Sequence, residues 1–177
     1  KKMTIPIELA LESFRLGESD ESIRLEGIDA FHKAQRVLID QSRREILIVT
    51  PDLEPERYND PEFASALSSF VRRSKITEVR ILVADPTMAT RWGHHVITIG
   101  RRLTSHIKIR QLSEEDARRP ESWMVADDIG MLRRDGRDGY IGALLPKAIP
   151  HAQKARRDFI EMWERSVEVA DFRQLHL

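Results

Sequence analysis

The side chains best equipped for chemistry in this chain are carboxylates and guanidinium groups, since there is no cysteine. Glu121 is followed closely by Asp127-Asp128, and paired carboxylates are hard oxygen ligands of the kind that hold Mg²⁺. With a divalent ion, Glu121, Asp127 and Asp128 would form a catalytic site for phosphodiester hydrolysis. The competing reading is a turn, where aspartates bond their own backbone and tolerate left-handed φ. The arginines come in doublets: Arg43-Arg44, Arg72-Arg73, Arg101-Arg102 and Arg133-Arg134, with Arg137 close to the last. Such patches hold phosphates of RNA or DNA, or an acidic protein surface. Few aromatic residues accompany them, so a single-strand stacking platform is not indicated.

Other candidates point away from chemistry. His94-His95 falls inside a predicted helix, where adjacent side chains diverge by about 100° and cannot grip one metal as an i, i+4 pair can. His32, His106, His151 and His176 show no ligand spacing, and the sequence implies no cofactor. Asp135-Gly136-Arg137-Asp138-Gly139 lacks P-loop spacing and reads as a hairpin tip. No Gly-x-Ser-x-Gly elbow and no dinucleotide fingerprint occurs. Trp92, Trp123 and Trp163 read as core or interface anchors.

The elements that must position these residues follow from periodicity. Residues 1–22 read as an N-terminal extension or linker and 23–177 as a single domain, with a short strand at 23–25. Ile28, Phe31, Ala34, Val37 and Leu38 recur at helical spacing through Ser42. Residues 45–50 and 78–84 are β-branched runs that suit buried strands. Asp60-Pro61 and Asp85-Pro86 each carry a capping carboxylate and a proline preset for the first helical turn, the second opening a helix to about Leu103. Residues 106–112 alternate as a strand, Ser113–Arg119 is a helical connector, and three short strands follow at 122–126, 130–134 and 140–145. A final helix runs from Pro150 to about Ser166. This order predicts an α/β fold, a mixed β-sheet flanked by helices.

Right-handed crossovers give such a sheet two different rims. One is expected to be acidic, with Asp52, Glu54, Glu56, Asp60, Glu62 and Asp85. The opposite rim collects Arg43-Arg44, Arg72-Arg73-Lys75 and Arg101-Arg102, helped by Arg133, Arg134, Arg137, Arg156 and Arg157. Cations at helix C-termini also complement the helix dipole, at about 0.3–1 kcal/mol each. Lys plus Arg and Asp plus Glu number 29 each, so bulk charge selects no partner. Every apolar run is far shorter than the ~20 residues a bilayer requires, so no membrane span is expected. The absence of cysteine suits a cytoplasmic location.

From about Leu25 to Ser166 the chain resembles a phospholipase D-like half-domain: a helix, the strand at 45–50, a Pro-containing loop, the strand at 79–84, Asp85-Pro86, the strand at 106–112 and a hairpin near Asp127-Asp128. Catalytic members of that family use His-x-Lys-x-x-x-x-Asp and a Gly-Ser-x-Asn-like segment. Aligning Asp128 with the motif aspartate puts Glu121 at the His position and Trp123 at the Lys position; Asp135, Gly136, Arg137 and Asp138 then fall over Gly-Ser-x-Asn. Aligning Asp127 instead puts Pro120 and Ser122 at the two key places. Neither pair can act as the nucleophile and phosphate-holding cation. The resemblance therefore implies a degenerate, non-catalytic binding or regulatory module, and a homodimer, because catalytic members need two halves. The rebuilt, metal-assisted phosphodiesterase or nuclease is the alternative.

Overall fold

A computed structural model of the chain describes residues 5–169. The expectations that concern residues 1–4 and 170–177, His176 among them, lie outside the described residues. The described chain forms eight strands: β1 (Ile23–Glu26), β2 (Glu45–Thr50), β3 (Glu78–Val83), β4 (Ile107–Gln111), β5 (Trp123–Ala126), β6 (Gly130–Arg134), β7 (Ile141–Leu145) and β8 (Val167–Glu168). They join in one sheet in the order β1-β7-β6-β5-β2-β3-β4-β8. The centre, β2-β3-β4, is parallel; β5, β6 and β7 form an antiparallel meander beside β2, and β1 and β8 close the two edges antiparallel. The mixed α/β sheet expected from the sequence is the one observed.

The helices are α1 (Ile7–Glu12), α2 (Ile28–Gln41), α3 (Pro55–Tyr58), α4 (Pro61–Arg72), α5 (Thr87–Trp92), α6 (His95–Arg102) and α7 (His151–Arg165). Period-two alternation divides the buried strands between two cores. Ile46, Ile48, Val79, Ile81 and Met124 face α2, α4 and α6, whereas Leu47, Val49, Leu82, Trp123 and Val125 face α7 through Phe159. Helices α2, α4 and α6 lie side by side on their face. At the start of α4 the Asp60 carboxylate accepts from the Glu62 N–H at 3.0 Å, and Pro61 occupies the first turn, as the sequence signal predicts.

The long helix expected from Asp85-Pro86 is instead two. Gly93 adopts φ 83°, which ends α5, and His94 then caps α6 by accepting from the Val96 N–H at 3.1 Å. His94 is thus a buried cap rather than a mid-helix residue. The connector at 113–119 holds only a single 3₁₀ turn, Asp116–Arg118. Before β1, Leu11 of α1 and Phe14 enter the core, and Gln41 of α2 binds the Leu16 N–H and the Phe14 carbonyl at 2.7 and 2.8 Å. The N-terminal segment is fastened to α2 by bonds that span more than two dozen residues, which no local pattern announces.

Candidate functional site

Strand register decides which charges meet. Parallel pairing aligns Glu45 with Glu78 and Val79 with Ile107, so the starts of β2, β3 and β4 share one rim and their ends share the other. Strand β5 runs the opposite way, with Trp123 beside Val49 and Ala126 beside Ile46, and β6 returns with Arg133 beside Trp123. Glu121 therefore lies at the rim where β2 ends, while Asp127 and Asp128 lie where it begins. Six residues of extended chain, on the order of 20 Å, separate the two positions. The carboxylate trio read from the sequence does not converge. Among the described residues no three His, Asp or Glu side chains gather in a way that could hold a metal ion.

Register also moves three arginines. Arg133, Arg134 and Arg137 belong to the rim where β2 ends, and so do not join the basic doublets at the opposite rim. There they line a cleft of about 1640 Å³ together with Asp52, Glu54, Asp85 and Glu121, and with Arg118 of the 3₁₀ turn and Arg119 just after it. The rim expected to be acidic is mixed, because the β6–β7 hairpin and the 113–119 connector bring cations onto it. Glu121 accepts from the indole N–H of Trp123 at 2.8 Å, and the buried Trp123 ring packs edge-on against Phe159.

Below the cleft sits an ion-pair network that sequence reasoning missed. Glu54 is 3% exposed, and its carboxylate accepts from the Thr50 hydroxyl at 2.8 Å, from the Ser122 hydroxyl at 2.9 Å and from Arg134 Nη1 at 2.8 Å. Arg57 is fully buried; its Nη1 donates to the Ser122 hydroxyl at 3.1 Å and lies 3.7 Å from Glu54, while its Nε donates to Gln35. Its guanidinium stacks over the rings of Phe31 and Tyr58. Burial pushes the Tyr58 hydroxyl well above the ordinary tyrosine range. The backbone enters this network through Leu53 at φ 66° and Glu54 at φ 28°, conformations that L residues adopt at a cost. His94 braces that turn: Nδ1 accepts the Val96 N–H, so Nε2 carries the proton and donates to the Leu53 carbonyl at 2.9 Å. Burial lowers the pKa of His94. A buried charged cluster so close to a turn with positive φ has no periodic signature; the local clue was Arg57 as the one cation among Asp52, Glu54, Glu56, Asp60 and Glu62.

At the opposite rim Asp127 serves the backbone. Its carboxylate accepts from the N–H groups of Arg43, Arg44 and Glu45 at 2.7, 2.8 and 2.9 Å. Asp127 and Asp128, at φ 52° and 61°, form the β5–β6 turn, whose two central residues both need positive φ. Other acids of this rim are also engaged. Glu45 pairs with Arg80 and Arg156, Glu78 with Arg80 and Lys108, and Asp40 with Arg36 and Arg73. Burial opposes ionisation of Glu45, but the hydrogen bonds from Arg156 and Arg80 outweigh it and hold the carboxyl below its ordinary range. Arg73 caps α2, with Nη1 donating to the carbonyls of Ile39, Asp40 and Ser42 at 3.0–3.3 Å. Arg43, Arg44, Arg72, Lys75 and Arg102 are exposed, and none has an acidic partner within 4.0 Å among the described residues. Arg101, beside Arg102 at the end of α6, is exposed as well.

The fold is shared with solved structures of low sequence identity. TrmBL2, an archaeal chromatin protein whose structure shows a novel mode of DNA binding, superposes with a TM-score of 0.66 at 14% identity, covering 96% of this chain and 57% of that one. The chain thus spans little more than half of TrmBL2. Nuc, a phospholipase D family member from Salmonella typhimurium, gives 0.62 at 11% identity over 84% of this chain and 99% of Nuc. The phosphatidylserine synthase of Haemophilus influenzae Rd KW20 gives 0.56 at 12% identity over 89% of this chain and 41% of that enzyme. The expected phospholipase D-like fold is the one these likenesses support. No functionally curated protein matches the chain. Residues 27–175 match the family described as Domain of unknown function (DUF7931), and the chain belongs to that family.

Proposed function

We propose that the chain is a degenerate phospholipase D-like half-domain that binds rather than catalyses, and that a polyanion, either nucleic acid or an acidic protein surface, docks on the rim where β2, β3 and β4 begin. The observation that carries this reading is the charge balance of that rim. Asp40, Glu45 and Glu78 are held in ion pairs and Asp127 by three backbone N–H groups, whereas Arg43, Arg44, Arg72, Lys75 and Arg102 face solvent without acidic partners among the described residues. Asp128 is half-buried and turned inward, with Oδ1 enclosed. Dipole complementation explains Arg73, which bonds helix-end carbonyls, but Arg72 makes no such bond. The DNA binding described for TrmBL2 is in keeping with this reading.

The absence of catalysis rests on the cleft. In one register the two motif positions hold Glu121 and Trp123, hydrogen-bonded to each other; in the other they hold Pro120 and Ser122, with Ser122 locked between Glu54 and Arg57. Among the described residues none that lines the cleft carries an imidazole or ammonium group; His151 and Lys154 line the adjoining cavity on the far side of Glu121 and Trp123. The metal-assisted alternative loses its basis, since Glu121 and Asp127 stand at opposite rims.

The test is charge reversal of the exposed residues Arg43, Arg44, Arg72 and Arg102 to Glu. Retention on immobilised heparin near 100 mM salt should be lost while the thermal transition is kept, because electrostatic binding of this kind weakens with each neutralised contact. Unchanged retention at matched stability sinks the proposed surface. Turnover of bis-p-nitrophenyl phosphate above background, with or without Mg²⁺ or Mn²⁺, would overturn the non-catalytic reading. Homodimerisation, carried over from the resemblance, predicts a light-scattering mass of about twice the 20.5 kDa chain.

A further inference from the structure

The basic rim is not a loose scatter of cations. Helices α2, α4 and α6 pack in a row on one face of the sheet, and each of the doublets follows or ends one of them. Arg43-Arg44 follow α2, Arg72 ends α4 with Lys75 just beyond it, and Arg101-Arg102 end α6. Neighbouring helix axes are about 8–10 Å apart, so the three groups of charge form a comb spanning roughly 16–20 Å. The comb is rigid at its base. Asp127 ties Arg43 and Arg44 to the β5–β6 turn through their backbone N–H groups, and Arg73 ties the end of α4 to the end of α2.

The three chemistries that could meet such a comb make different demands. A single strand is held by stacking its bases on aromatic rings beside a basic groove. Between the doublets and the strand starts, residues 43–45, 72–78, 101–106 and 127–128 include no Phe, Tyr or Trp. The strongly exposed indole, Trp92, ends α5, ahead of the junction at His95 from which α6 runs to the basic rim. An acidic protein partner would need a desolvated apolar centre to anchor it. Among the described residues this rim offers two exposed large apolar side chains, Ile76 before β3 and Ile149 after β7, which stand several strands apart and form no common centre. A duplex needs neither, since its rigid backbone presents phosphates at a regular spacing of about 3.4 Å of axis per strand and binds by counterion release.

Resting on the polyanion reading above, we infer that the partner of this rim is double-stranded nucleic acid, gripped through backbone phosphates without reading base sequence. If each neutralises one phosphate, Arg43, Arg44, Arg72, Lys75 and Arg102, which have no acidic partner among the described residues, account for up to five contacts. The logarithm of affinity against the logarithm of salt concentration should then fall with a slope of about −3 to −4.5.

Fluorescence anisotropy would be measured with the full chain and four probes, two unrelated 20-base-pair duplexes, a single strand of the same length and a polyglutamate peptide, between 50 and 200 mM salt. Both duplexes should bind with equal affinity and more tightly than the other two probes. Arg72→Ala combined with Arg102→Ala should make the salt slope shallower by about 1.8. Arg24→Ala, an exposed change on β1 at the sheet edge, should leave it unaltered. Tighter binding of the single strand or of polyglutamate, or a strong preference between the two duplexes, overturns the duplex assignment and leaves the polyanion reading standing. Failure of all four probes to bind overturns both.

Discussion

Arg134 reaches across 80 residues of sequence to donate to the buried carboxylate of Glu54 at 2.8 Å, and through it the β6–β7 hairpin is joined to the turn after β2. The same guanidinium donates to the carbonyls of Arg137 and Gly139 at the hairpin tip and lies 3.9 Å over the Tyr140 ring. One side chain read from sequence as a phosphate contact is thus an internal strut. Its position under the cleft means that the cleft's shape depends on a charge pair that solvent barely reaches.

Removing Glu54 should be among the most damaging single changes outside the apolar core. Glu54→Ala leaves Arg134 and the Thr50 and Ser122 hydroxyls without their acceptor and the buried Arg57 without its counter-charge, and an uncompensated buried charge typically costs about 3–5 kcal/mol. Urea unfolding should show a loss of that order, and a loss below about 1 kcal/mol would show that water already screens the network.

Asp127 should behave as a structural residue and not as a metal ligand. Asp127→Ala removes the acceptor of three backbone N–H groups at a left-handed position, with an expected loss of about 3 kcal/mol. Asp127→Asn keeps an acceptor oxygen and tolerance of positive φ, and should lose roughly half as much. A thermal midpoint that rises with Mg²⁺ in the parent chain but not in Asp127→Asn would reverse the assignment.

His94 makes stability depend on pH in a definite direction. Burial lowers its pKa below the ordinary value of 6.5, so the unfolded chain binds the proton more readily than the folded one. Its stabilising contribution is complete above about 6.5 and is lost as pH falls from there toward the lowered folded value. Protonation of Nδ1 would also end its acceptance of the Val96 N–H. Denaturation midpoints measured from pH 7.5 to 5 should fall, and less so in His94→Gln. An NMR titration that gives His94 a pKa at or above 6.5 contradicts this account.

The regular elements were legible because each is announced by its own neighbours. The stripe from Ile28 to Leu38, the β-branched runs at 45–50 and 78–84, Asp60-Pro61 and the turn residues around 135–139 depend on spacing within one segment, and the structure contains the helix, strands and hairpin they predict. The break at Gly93 was harder, since glycine is tolerated inside a helix and only positive φ with a capping His94 decides the matter. The site was less legible still. Arg57 and Arg134 look like any surface arginines, and Asp127 looks like a ligand, until antiparallel pairing of β5 with β2 fixes which rim each one occupies.

By itself the sequence determined the order of strands and helices and the clustering of cations into doublets. Only the tertiary structure decided that Arg133, Arg134 and Arg137 face a mixed cleft, that Glu121 and Asp127 stand at opposite rims, and that Arg43, Arg44, Arg72, Lys75 and Arg102 have no acidic partner among the described residues. Backbone propensity acts over a few residues, whereas the energy of a charge depends on which distant group lies within a few ångströms and on how much water is left between them.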